Sequence, residues 1–534
     1  MNIIIGAGPS GLQLAYYFEK NNVDYLVLEK TSSCGSFFQK YPHSKQLISI
    51  NKKYTGRENT KENYDFNLRH DWNSLLNDDN FNFTEYSNKF YPDSEDLYKY
   101  LNDFHNKYKL KIMFDIDVKK IDYKYDQFLI FTDKKIFTCK KLIMATGLSI
   151  PNIPEYESYV KDDSNIKNYS EFPNGYFTDE ENLKEFINKN ILIVGGGNAS
   201  LELANILNNY TSNIIINGKK RDLAVVSHYS GDIRSIYLPF LDTFFLKSQN
   251  GIDNNFSIII DENCKIIQCS DEKSEYYGKY YIIKNNNILY SQINYHFDKI
   301  IFCTGWKFDN SIFDSSLNIK LNGKYPNINC KFESTENPNL YFIGGLMHSL
   351  DYRESSGGFI HGFRYLIEFF YKCNYTYMFN PDKIFEFNNN NLDFYNDLSL
   401  HIYNRINNSS SLYQMFNNLV DVFFYDKISK KINYYENILI NYVFTNELFS
   451  NKEYIYIIKL TYGDKNYDLK TLGNFNKFNP VFLHPEIHIF KNINNNFIFQ
   501  DRFILEENLT ASFLDKEIYL NKIYKIIKYC NLLI

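Results

Sequence analysis

The chain has 534 residues and a net charge of −5; 44% of the residues are hydrophobic and 23% are charged. This length and composition predict several globular domains and exclude a disordered or fibrous chain. The mild negative charge argues against a protein that coats nucleic acid. No apolar run reaches the about 18 residues that a membrane-spanning helix needs, so we expect no membrane span.

The cysteines contain no C-x-x-C pair; they stand at positions 34, 139, 264, 269, 303, 330, 373 and 530. This spacing argues against a zinc ribbon or a thioredoxin-type dithiol, and we expect no metal. The low density is typical of reduced thiols. A strand directly after Met1 leaves no room for a signal peptide, and the last four residues are not a retention signal, which predicts a cytoplasmic protein.

The first elements are a buried strand at residues 2–5, a glycine turn, a helix and a second strand. Gly6, Gly8 and Gly11 form G-x-G-x-x-G in that turn, a pattern typical of a dinucleotide fold whose helix N-terminus faces a pyrophosphate. Glu29 ends the second strand, where a carboxylate accepts hydrogen bonds from a ribose. The predicted binding residues of this first fold are Gly6, Gly8, Ser10, Gly11, Glu29 and Lys30.

A second strand, turn and helix follow, with Gly195, Gly197 and Ser200 in a G-x-G-x-x-S turn. The position equivalent to the acid of the first fold is Gly218, and three cations come directly after it. An acid would repel a 2′-phosphate whereas cations bind one, so we expect NADPH in preference to NADH. A solvated basic turn is the alternative interpretation. The predicted binding residues of the second fold are Gly195, Gly197, Asn198, Ser200, Lys219, Lys220 and Arg221.

Three further strands end in glycine turns: Ala-Thr-Gly at 145–147, Cys-Thr-Gly at 303–305 and Gly-Gly at 344–345. Two dinucleotide folds with these turns are the plan of a flavoprotein that holds FAD on the first fold and NADPH on the second. Backbone N–H groups at the last turn, and in a helix after Ser356, would face the flavin ring. The residues predicted to bind through these turns are Ala145, Thr146, Gly147, Thr304, Gly305, Gly344, Gly345 and Gly357.

The predicted fold class is therefore α/β, with two Rossmann-type dinucleotide-binding domains and a mixed C-terminal extension. We expect the domains at 1–165 (FAD, first part), 166–305 (NADPH), 306–375 (FAD, return segment) and 376–534 (extension of unknown role). Within the extension, the pattern predicts a helix over 411–425 and a strand over 453–461.

Two patterns resemble functional motifs but are interpreted as structural. Cys264 and Cys269 have C-x4-C spacing away from the predicted flavin turns, and Cys34 alone cannot run a dithiol relay. Residues 342–352 fit the F-x-G-x-x-x-H-x-x-x-Y fingerprint of flavin-containing and Baeyer–Villiger monooxygenases. In those families the fingerprint lies between the two folds, whereas here it follows the last strand. We therefore expect His348 to be a local hydrogen-bonding residue, or to lie near the flavin for another reason.

Several longer stretches resemble a family of FAD-dependent oxidoreductases of the endoplasmic reticulum, within the flavin-containing-monooxygenase-like superfamily. They are LISINKKYTG (47–56), FNLRHDWNSLL (66–76), SHYSGDIRSI (227–236), HSLDYRESSGGFIHGFRY (348–365), SSLYQMF (410–416) and FLHP (482–485). The resemblance implies FAD and NADPH as cofactors, and it places Asn51, with Lys52 beside it, near the flavin as candidate catalytic residues. It also makes the endoplasmic reticulum the alternative location.

One of these stretches brings together Arg69, His70, Asp71 and Trp72. A cluster beside the substrate or the flavin is one interpretation, and a buried salt-bridged turn is the other.

The sequence as a whole predicts an FAD-dependent, NADPH-linked oxidoreductase. Hydride would pass from NADPH to flavin N5, and the electrons would leave to an external acceptor, either a small molecule or a protein disulfide. One alternative is a flavin-dependent monooxygenase that activates oxygen at flavin C4a; another is a non-enzymatic flavin-bound interaction module that docks through residues 376–534. We expect no nucleic-acid partner.

Overall fold

The computed structural model describes residues 1–153, 163–218, 221–237, 252–255, 264–284, 287–288, 296–376, 379–386, 393–462, 482–494, 496–505 and 516–529. Its strands are β1 (Asn2–Ile5), β2 (Tyr25–Leu28), β3 (Ile112–Met113), β4 (Val118–Lys124), β5 (Gln127–Thr132), β6 (Ile136–Cys139), β7 (Lys141–Met144), β8 (Ile150–Pro151), β9 (Ile166–Asn168), β10 (Asn190–Val194), β11 (Asn213–Asn217), β12 (Ile252–Asn255), β13 (Cys264–Gln268), β14 (Tyr280–Lys284), β15 (Asn287–Ile288), β16 (Lys299–Phe302), β17 (Trp306–Lys307), β18 (Leu321–Asn322), β19 (Tyr325–Pro326), β20 (Leu340–Phe342), β21 (Lys383–Glu386), β22 (Leu419–Asp426), β23 (Lys431–Leu439), β24 (Tyr454–Thr461), β25 (His484–Ile493) and β26 (Asn496–Ile504). Its α-helices are α1 (Pro9–Lys20), α2 (Phe37–Lys40), α3 (Tyr64–Leu68), α4 (Ser94–Tyr108), α5 (Glu180–Leu183), α6 (Asn198–Leu207), α7 (Ala224–Ser227), α8 (Ile360–Tyr375), α9 (Asp393–Asn408), α10 (Ser410–Gln414), α11 (Ile440–Thr445), α12 (Glu447–Ser450) and α13 (Lys516–Tyr529).

A five-stranded parallel sheet forms the centre of the first unit, in the order β20-β7-β1-β2-β3. Its central strands are apolar runs with no exposed residue, as expected for parallel strands covered on both faces. Helix α1 connects β1 to β2, and β20 pairs in parallel with β7 from far along the chain. The first sheet is therefore assembled from two separate stretches of sequence.

A second five-stranded parallel sheet repeats this plan, in the order β12-β11-β10-β16-β9. Helix α6 connects β10 to β11, and Ile191 on β10 pairs with Ile214 and Lys299 on its two neighbours. The antiparallel strands β13, β14 and β15 form a small additional sheet. Two Rossmann-type folds in one chain confirm the predicted α/β class.

The two folds meet where the chain crosses between them. Strand β8 pairs with β17, which joins the two crossing segments, and the ring of Trp306 lies 5.1 Å from that of Tyr41. Nearby, His43 donates a hydrogen bond from Nε2 to the carbonyl oxygen of Tyr169 at 2.9 Å. The folds therefore share a packed, hydrogen-bonded boundary.

The C-terminal extension is a six-stranded antiparallel sheet, in the order β21-β23-β22-β24-β25-β26. Its apolar residues join two cores: one is continuous with the first unit and includes helix α8, and the other includes residues of α9 and α13. Phe369 of α8 packs against Tyr442, with 5.2 Å between their ring centroids. The extension is therefore part of the same packed body as the first dinucleotide fold.

The predicted helix over 411–425 is wrong beyond Gln414, because α10 ends there and β22 begins at Leu419. The sequence LVDVFFYD is rich in β-branched and aromatic residues, and six of its eight positions are buried. Such a segment suits a central strand covered on both faces. The strand predicted over 453–461 is confirmed by β24.

Within the described part of the chain, no helix combines the length and apolar character needed to cross a membrane. The same residues contain no group of three or more histidine, cysteine, aspartate or glutamate side chains arranged to hold a metal ion.

Candidate functional site

The glycines of the first turn, between β1 and α1, serve two different purposes. Gly6 has a φ of +105°, and a Cβ at Gly11 would lie 2.0 Å from the carbonyl oxygen of Gly6, so packing within the protein requires both. At Gly8, by contrast, nothing lies within 4 Å of an added Cβ. Open space at a helix N-terminus, where free amides and the helix dipole favour anions, suits a pyrophosphate.

Glu29 lies directly after β2 and is hydrogen-bonded through both carboxylate oxygens. Its Oε2 accepts from the amide of Ala7 at 2.7 Å, and its Oε1 accepts from the amide and the hydroxyl of Thr31 at 3.0 and 2.7 Å. A carboxylate offers about four acceptor positions. Glu29 therefore stabilises the turn and still has a free acceptor position for a hydrogen bond from a ribose hydroxyl.

A cleft of about 530 Å³ runs along this turn. Its volume lies within the usual range of cofactor and small-molecule sites, roughly 300–1,000 Å³. Gly8, Glu29, Lys30 and Thr146 line it, which brings together predicted residues from three loops. The ammonium of Lys30 lies 3.4 Å from the carboxylate of Asp117.

The Ala-Thr-Gly turn follows β7 and packs beneath the first glycine turn. The carbonyl of Ala145 is the atom nearest to a Cβ added at Gly6, at 2.9 Å. Ala145 and Thr146 line the cleft, whereas Gly147, with a φ of +62°, faces open space. The predicted turn is therefore present where it can border a ligand.

The second glycine turn, like the first, contains one tightly packed glycine and one open glycine. A Cβ at Gly195 would lie 2.3 Å from the carbonyl oxygen of Cys303, whereas the nearest atom to a Cβ at Gly197 is the guanidinium carbon of Arg221, at 3.8 Å. Ser200 is buried at the third position of the pattern. The turn is thus tightly packed at Gly195 and open at Gly197.

The residue equivalent to Glu29 is a glycine for a steric reason. A Cβ at Gly218 would lie 2.3 Å from the amide nitrogen of Gly196, so no acidic side chain fits there. Arg221 lies beside the open glycine of the turn and donates to the carbonyl oxygen of Gly231 at 3.3 Å. Lys219 and Lys220 lie outside the described residues.

Asn198 begins α6, but its side chain is bonded within the protein. It donates to the carbonyl oxygen of Asp232 at 2.9 Å and accepts from the amide of Arg234 at 3.0 Å. Thr304 and Gly305 are likewise engaged at the crossing between the folds. The Thr304 hydroxyl donates to the carbonyl oxygen of Asn152, and the Gly305 carbonyl accepts from the amide of Asn152 at 2.8 Å. These three predicted residues shape the surroundings of the second turn.

Residues 344–358 follow β20 and are here called the flavin-side segment, because the sequence predicts that they face the flavin. A Cβ at Gly344 would lie 2.4 Å from the Cβ of Ser10, so this turn packs closely on α1. Gly345 has more room, with the Gly358 carbonyl oxygen 3.6 Å from its added Cβ. The predicted turn therefore borders the N-terminal end of α1.

The predicted role of the Gly357 amide needs correction. Helix α8 begins at Ile360, and the Gly357 amide donates to Oδ2 of Asp351 at 2.9 Å. An amide held by a buried carboxylate is not available to a ligand. Gly357 is also tightly packed, because an added Cβ would lie 2.4 Å from Asp351 Oδ1.

His348 is a buried hydrogen-bonding residue, as its position in the sequence indicated. Its Nδ1 lies 2.7 Å from Oδ1 of Asp351, and its Nε2 lies 2.8 Å from the hydroxyl of Tyr229. Tyr229 belongs to the second fold, so His348 connects the two folds.

Asn51 is buried, and its amide group donates to the carbonyl oxygens of Ser87 and Lys89 at 2.7 and 3.3 Å. Its Oδ1 is buried without a hydrogen-bond partner among the described residues. Lys52, its neighbour, is exposed and lines a separate cavity of about 450 Å³ together with Arg57. The two candidate catalytic residues therefore face different surroundings.

Arg69 and Asp71 of the Arg69–Trp72 cluster are buried, but their bonds differ from the predicted salt bridge. The Arg69 guanidinium donates to the carbonyl oxygens of Ile406 and Ser409 in the extension, at 2.7 and 3.1 Å. Asp71 instead accepts from the amides of Asn73 and Ser74, each at 3.0 Å. This part of the cluster anchors the extension to the first fold.

Trp72 lies at the junction of the two folds. Its ring stacks on His361 with 4.0 Å between centroids, and the Arg234 guanidinium lies 4.6 Å from its centroid on the second fold. A cation over a tryptophan face is attractive and adds to the packing of the boundary. His361 is buried, and neither ring nitrogen has a partner among the described residues.

The described cysteines do not form a redox pair beside the flavin-side segment; all of them are free thiols. Burial, with a smaller contribution from the charge of Glu29, raises the pKa of Cys34 to about 12. Burial also raises the pKa of Cys303. A thiol held in the protonated form is a poor nucleophile, which fits the structural interpretation of Cys34.

Sequence reasoning missed Arg364, Tyr229, Asp232 and Arg353. The fully buried Arg364 donates to the carbonyl oxygens of Leu68, Asp71 and Ser74 at 2.8–3.0 Å and so holds the turn that carries Trp72. All four residues lie in the long stretches that resemble the family. That resemblance was the signal in the sequence that could have identified them.

Comparison with known proteins agrees with this geometry. The family model for pyridine nucleotide-disulphide oxidoreductases matches residues 3–344. The FAD-dependent oxidoreductase domain-containing protein 2 of Mus musculus is 31% identical over 535 residues, covering 92% of this chain and 76% of the mouse protein. The protein of the same name from Danio rerio is 31% identical over 468 residues, covering 78% of this chain and 64% of that protein.

Among solved structures, a flavin-containing monooxygenase from Stenotrophomonas maltophilia aligns with a TM-score of 0.47 and 17% identity, covering 64% of this chain and 89% of that one. A bacillithiol disulfide reductase from Staphylococcus aureus aligns with a TM-score of 0.46 and 19% identity, covering 65% and 89%.

The family match and the mouse relative together decide the class of the protein. Membership implies the use of a flavin and a pyridine nucleotide, in agreement with the two glycine turns. The chain therefore belongs to the pyridine nucleotide-disulphide oxidoreductase family, as an FAD-dependent oxidoreductase similar to the FAD-dependent oxidoreductase domain-containing proteins.

Proposed function

We propose that this protein is an NADPH-dependent FAD oxidoreductase that passes electrons to an acceptor outside the chain. FAD would bind the fold formed by residues 1–165 and 306–375, and NADPH would bind the fold at 166–305. The observation that carries the proposal is the pair of open glycines, Gly8 and Gly197, at matching helix N-termini of two parallel sheets.

The residues of the first fold fit an FAD group. Gly8 leaves room for a pyrophosphate, Glu29 retains acceptor capacity for a ribose, and the cleft between them has a volume suited to a cofactor. When bound, the flavin supplies the chemistry of accepting hydride and releasing electrons. The chain's own contribution is to orient this group against the second fold.

NADPH, in preference to NADH, is supported by two features of the second fold. No acid fits at Gly218, so the ribose side of the turn lacks a charge that would repel a 2′-phosphate. The Arg221 guanidinium lies beside Gly197, where it can pair with that phosphate. The neighbouring Lys219 and Lys220 are proposed to add to the same interaction.

An external acceptor is supported by the state of the cysteines. Those described are free thiols, and both Cys34 and Cys303 are held in the protonated form by burial. We propose a disulfide as the acceptor. The balanced reaction is NADPH + H⁺ + RSSR → NADP⁺ + 2 RSH, so NADPH is oxidised and one S–S bond is broken for each hydride.

The test is anaerobic stopped-flow mixing of the FAD-loaded protein with NADPH, followed by a disulfide such as 5,5′-dithiobis(2-nitrobenzoate). We expect NADPH to bleach the flavin absorbance and the disulfide to restore it with release of thiol. Failure of NADPH to bleach the flavin would contradict the proposal.

A flavin-dependent monooxygenase is the second candidate. It is favoured by the buried Asn51, whose Oδ1 has no hydrogen-bond partner among the described residues and could accept a bond from a bound group. Mixing the reduced protein with oxygenated buffer separates the two candidates. Direct return of the oxidised flavin spectrum supports the reductase. A long-lived, oxygen-dependent absorbance distinct from oxidised and reduced flavin would support the monooxygenase.

A further inference from the structure

Residues 229–234, here called the strap, cross from the second fold to the flavin-side segment. They form part of the SHYSGDIRSI stretch. Neither end of the strap is free: one side is hydrogen-bonded to the turn proposed to bind NADPH, and the other to residues 348–356.

The bonds to the NADPH turn involve backbone atoms of the strap. Asn198, the first residue of α6, bonds to the Asp232 carbonyl at 2.9 Å and the Arg234 amide at 3.0 Å. The guanidinium of Arg221 donates to the Gly231 carbonyl at 3.3 Å. The strap is therefore tied by hydrogen bonds to the residues that border the open Gly197.

The bonds to the flavin-side segment use side chains instead. Arg353 donates from Nη2 to both carboxylate oxygens of Asp232, each at 2.9 Å. The Tyr229 hydroxyl lies 2.8 Å from His348 Nε2, whose Nδ1 lies 2.7 Å from Asp351. Asp351 in turn holds the amide of Gly357, so the network reaches the residues just before α8.

Breaking either connection, Arg353–Asp232 or Tyr229–His348–Asp351, would leave a buried carboxylate without compensation and so costs free energy. Asp232 is 1% exposed, and a buried carboxylate is stable only when a cation or hydrogen bonds compensate its lost hydration. Asp351 is also 1% exposed, and as a carboxylate it accepts a hydrogen bond from His348 Nδ1. In a neutral imidazole, Nε2 then accepts from the Tyr229 hydroxyl, which fixes the direction of that bond.

We infer that Tyr229 and Asp232 are positioning residues for hydride transfer. Through His348 and Arg353 they hold the NADPH turn at a set distance from the flavin-side segment, so that hydride passes from the nicotinamide to the flavin and NADP⁺ remains. This inference rests on the proposed function. Misplacement of reacting groups by about 1 Å can cost on the order of 100-fold in rate.

The experiment compares Tyr229→Phe and Asp232→Asn with the wild-type protein, each loaded with FAD. Flavin reduction by NADPH is followed anaerobically to give the limiting rate and the NADPH Kd. We expect the limiting rate to fall at least about tenfold in each variant while the Kd changes by less than about threefold. An unchanged limiting rate, or a weaker Kd with an unchanged rate, would overturn the inference.

Two further variants separate positioning from general damage. Arg353→Lys keeps a cation for Asp232 and should retain more of the rate than Arg353→Ala. Lys320→Gln breaks an ion pair with Glu336, 2.7 Å apart in the same return segment but away from the strap, and should match the wild type. Equal losses in Arg353→Lys and Arg353→Ala would contradict a role for the paired charge.

Hydrogen exchange gives a readout that does not depend on activity. In Tyr229→Phe, amides across residues 348–358 should exchange several-fold faster than in the wild type, because the Gly357 amide depends on the His348–Asp351 arrangement. If residues 348–358 exchanged at the wild-type rate in Tyr229→Phe, the inference would be overturned. If NADPH does not reduce the wild-type flavin, the proposed function fails, whereas the exchange result still tests the strap.

Discussion

The carboxylate of Glu29 accepts a hydrogen bond from the backbone amide of Ala7 at 2.7 Å, which ties the end of β2 to the middle of the first glycine turn. The two residues are 22 positions apart in one strand–helix–strand unit and become adjacent across parallel strands, since Ile5 of β1 pairs with Leu28 of β2. One acid therefore stabilises the turn and borders the cleft.

Replacing Glu29 with glutamine tests this dual role. A glutamine keeps one acceptor oxygen but directs an NH₂ group either at the Ala7 amide or at the Thr31 donors, so we expect the FAD Kd to rise about 10- to 100-fold, corresponding to loss of a charge-assisted hydrogen bond of about 1.5–3 kcal/mol. The measurement is a fluorescence titration of the FAD-free protein with FAD. Glu19→Gln, on the same unit but outside the lining of the cleft, is the control. Wild-type FAD affinity in Glu29→Gln would show that the carboxylate is not needed.

The open glycines allow a reciprocal test of the two nucleotide sites. Gly8 and Gly197 have negative φ values, of −75° and −100°, and a Cβ at either position meets no atom closer than 3.8 Å. We therefore expect Gly8→Ala and Gly197→Ala to fold with wild-type thermal stability in the absence of cofactors. Gly8→Ala should lose FAD and keep NADPH, and Gly197→Ala should do the reverse.

Calorimetric titration of each alanine variant with FAD and with NADPH checks this pattern. Gly11→Ala serves as the contrasting variant, because its Cβ would lie 2.0 Å from the Gly6 carbonyl oxygen and should destabilise the fold itself. If either open-glycine variant lost both ligands equally, the assignment of separate sites would be wrong.

Arg221 should distinguish the two nicotinamide cofactors. Arg221→Gln removes a guanidinium beside Gly197 that can pair with a 2′-phosphate, so the NADPH Kd should rise about tenfold or more while the NADH Kd stays nearly constant. Lys134→Gln, an exposed cation in the loop between β5 and β6, is the matched control. Equal losses for NADPH and NADH would refute contact with the 2′-phosphate.

The burial of His43 leads us to expect that the free energy of unfolding depends on pH. Burial lowers its pKa to about 4, with additional contributions from the nearby charges of Lys40 and Lys45. The unfolded chain, with a histidine pKa near 6.5, binds more protons than the folded protein between about pH 4 and pH 6.5. Stability contributed by the neutral His43 is therefore present above about pH 6.5 and is lost as the pH falls.

The comparison variant is His43→Gln, which keeps a donor for the Tyr169 carbonyl but does not titrate. Between pH 7 and pH 5, the free energy of unfolding of the wild type should fall by about 2 kcal/mol more than that of the variant. Urea unfolding at the two pH values measures the difference. Parallel losses in the two proteins would show that His43 is not held neutral.

Both nucleotide folds could be predicted from the sequence because their signals are local. Gly6, Gly11 and Glu29 lie within one strand–helix–strand unit, and the same spacing at Gly195 located the second unit. The steric requirement at Gly218 is also visible in the sequence, because a glycine occupies the position where the first fold has an acid.

The extension was harder to predict because its strands depend on distant partners. Strand β22 is buried between β23 and β24, and the apolar run LVDVFFYD is compatible with either a buried helix or a buried strand until those neighbours are known. The role of the Gly357 amide was mispredicted for a related reason, since a carboxylate six residues away in the same loop had already engaged it.

The sequence by itself determined the two Rossmann-type folds, the order of the glycine turns and the family, because each depends on residues that interact within a short span of chain. Only the tertiary structure decided that Arg364 holds the turn of Trp72, that Arg69 binds the extension, and that the strap joins His348 and Arg353 to the second fold. These contacts join residues more than a hundred positions apart, and no local periodicity encodes which distant groups folding will bring within hydrogen-bonding distance.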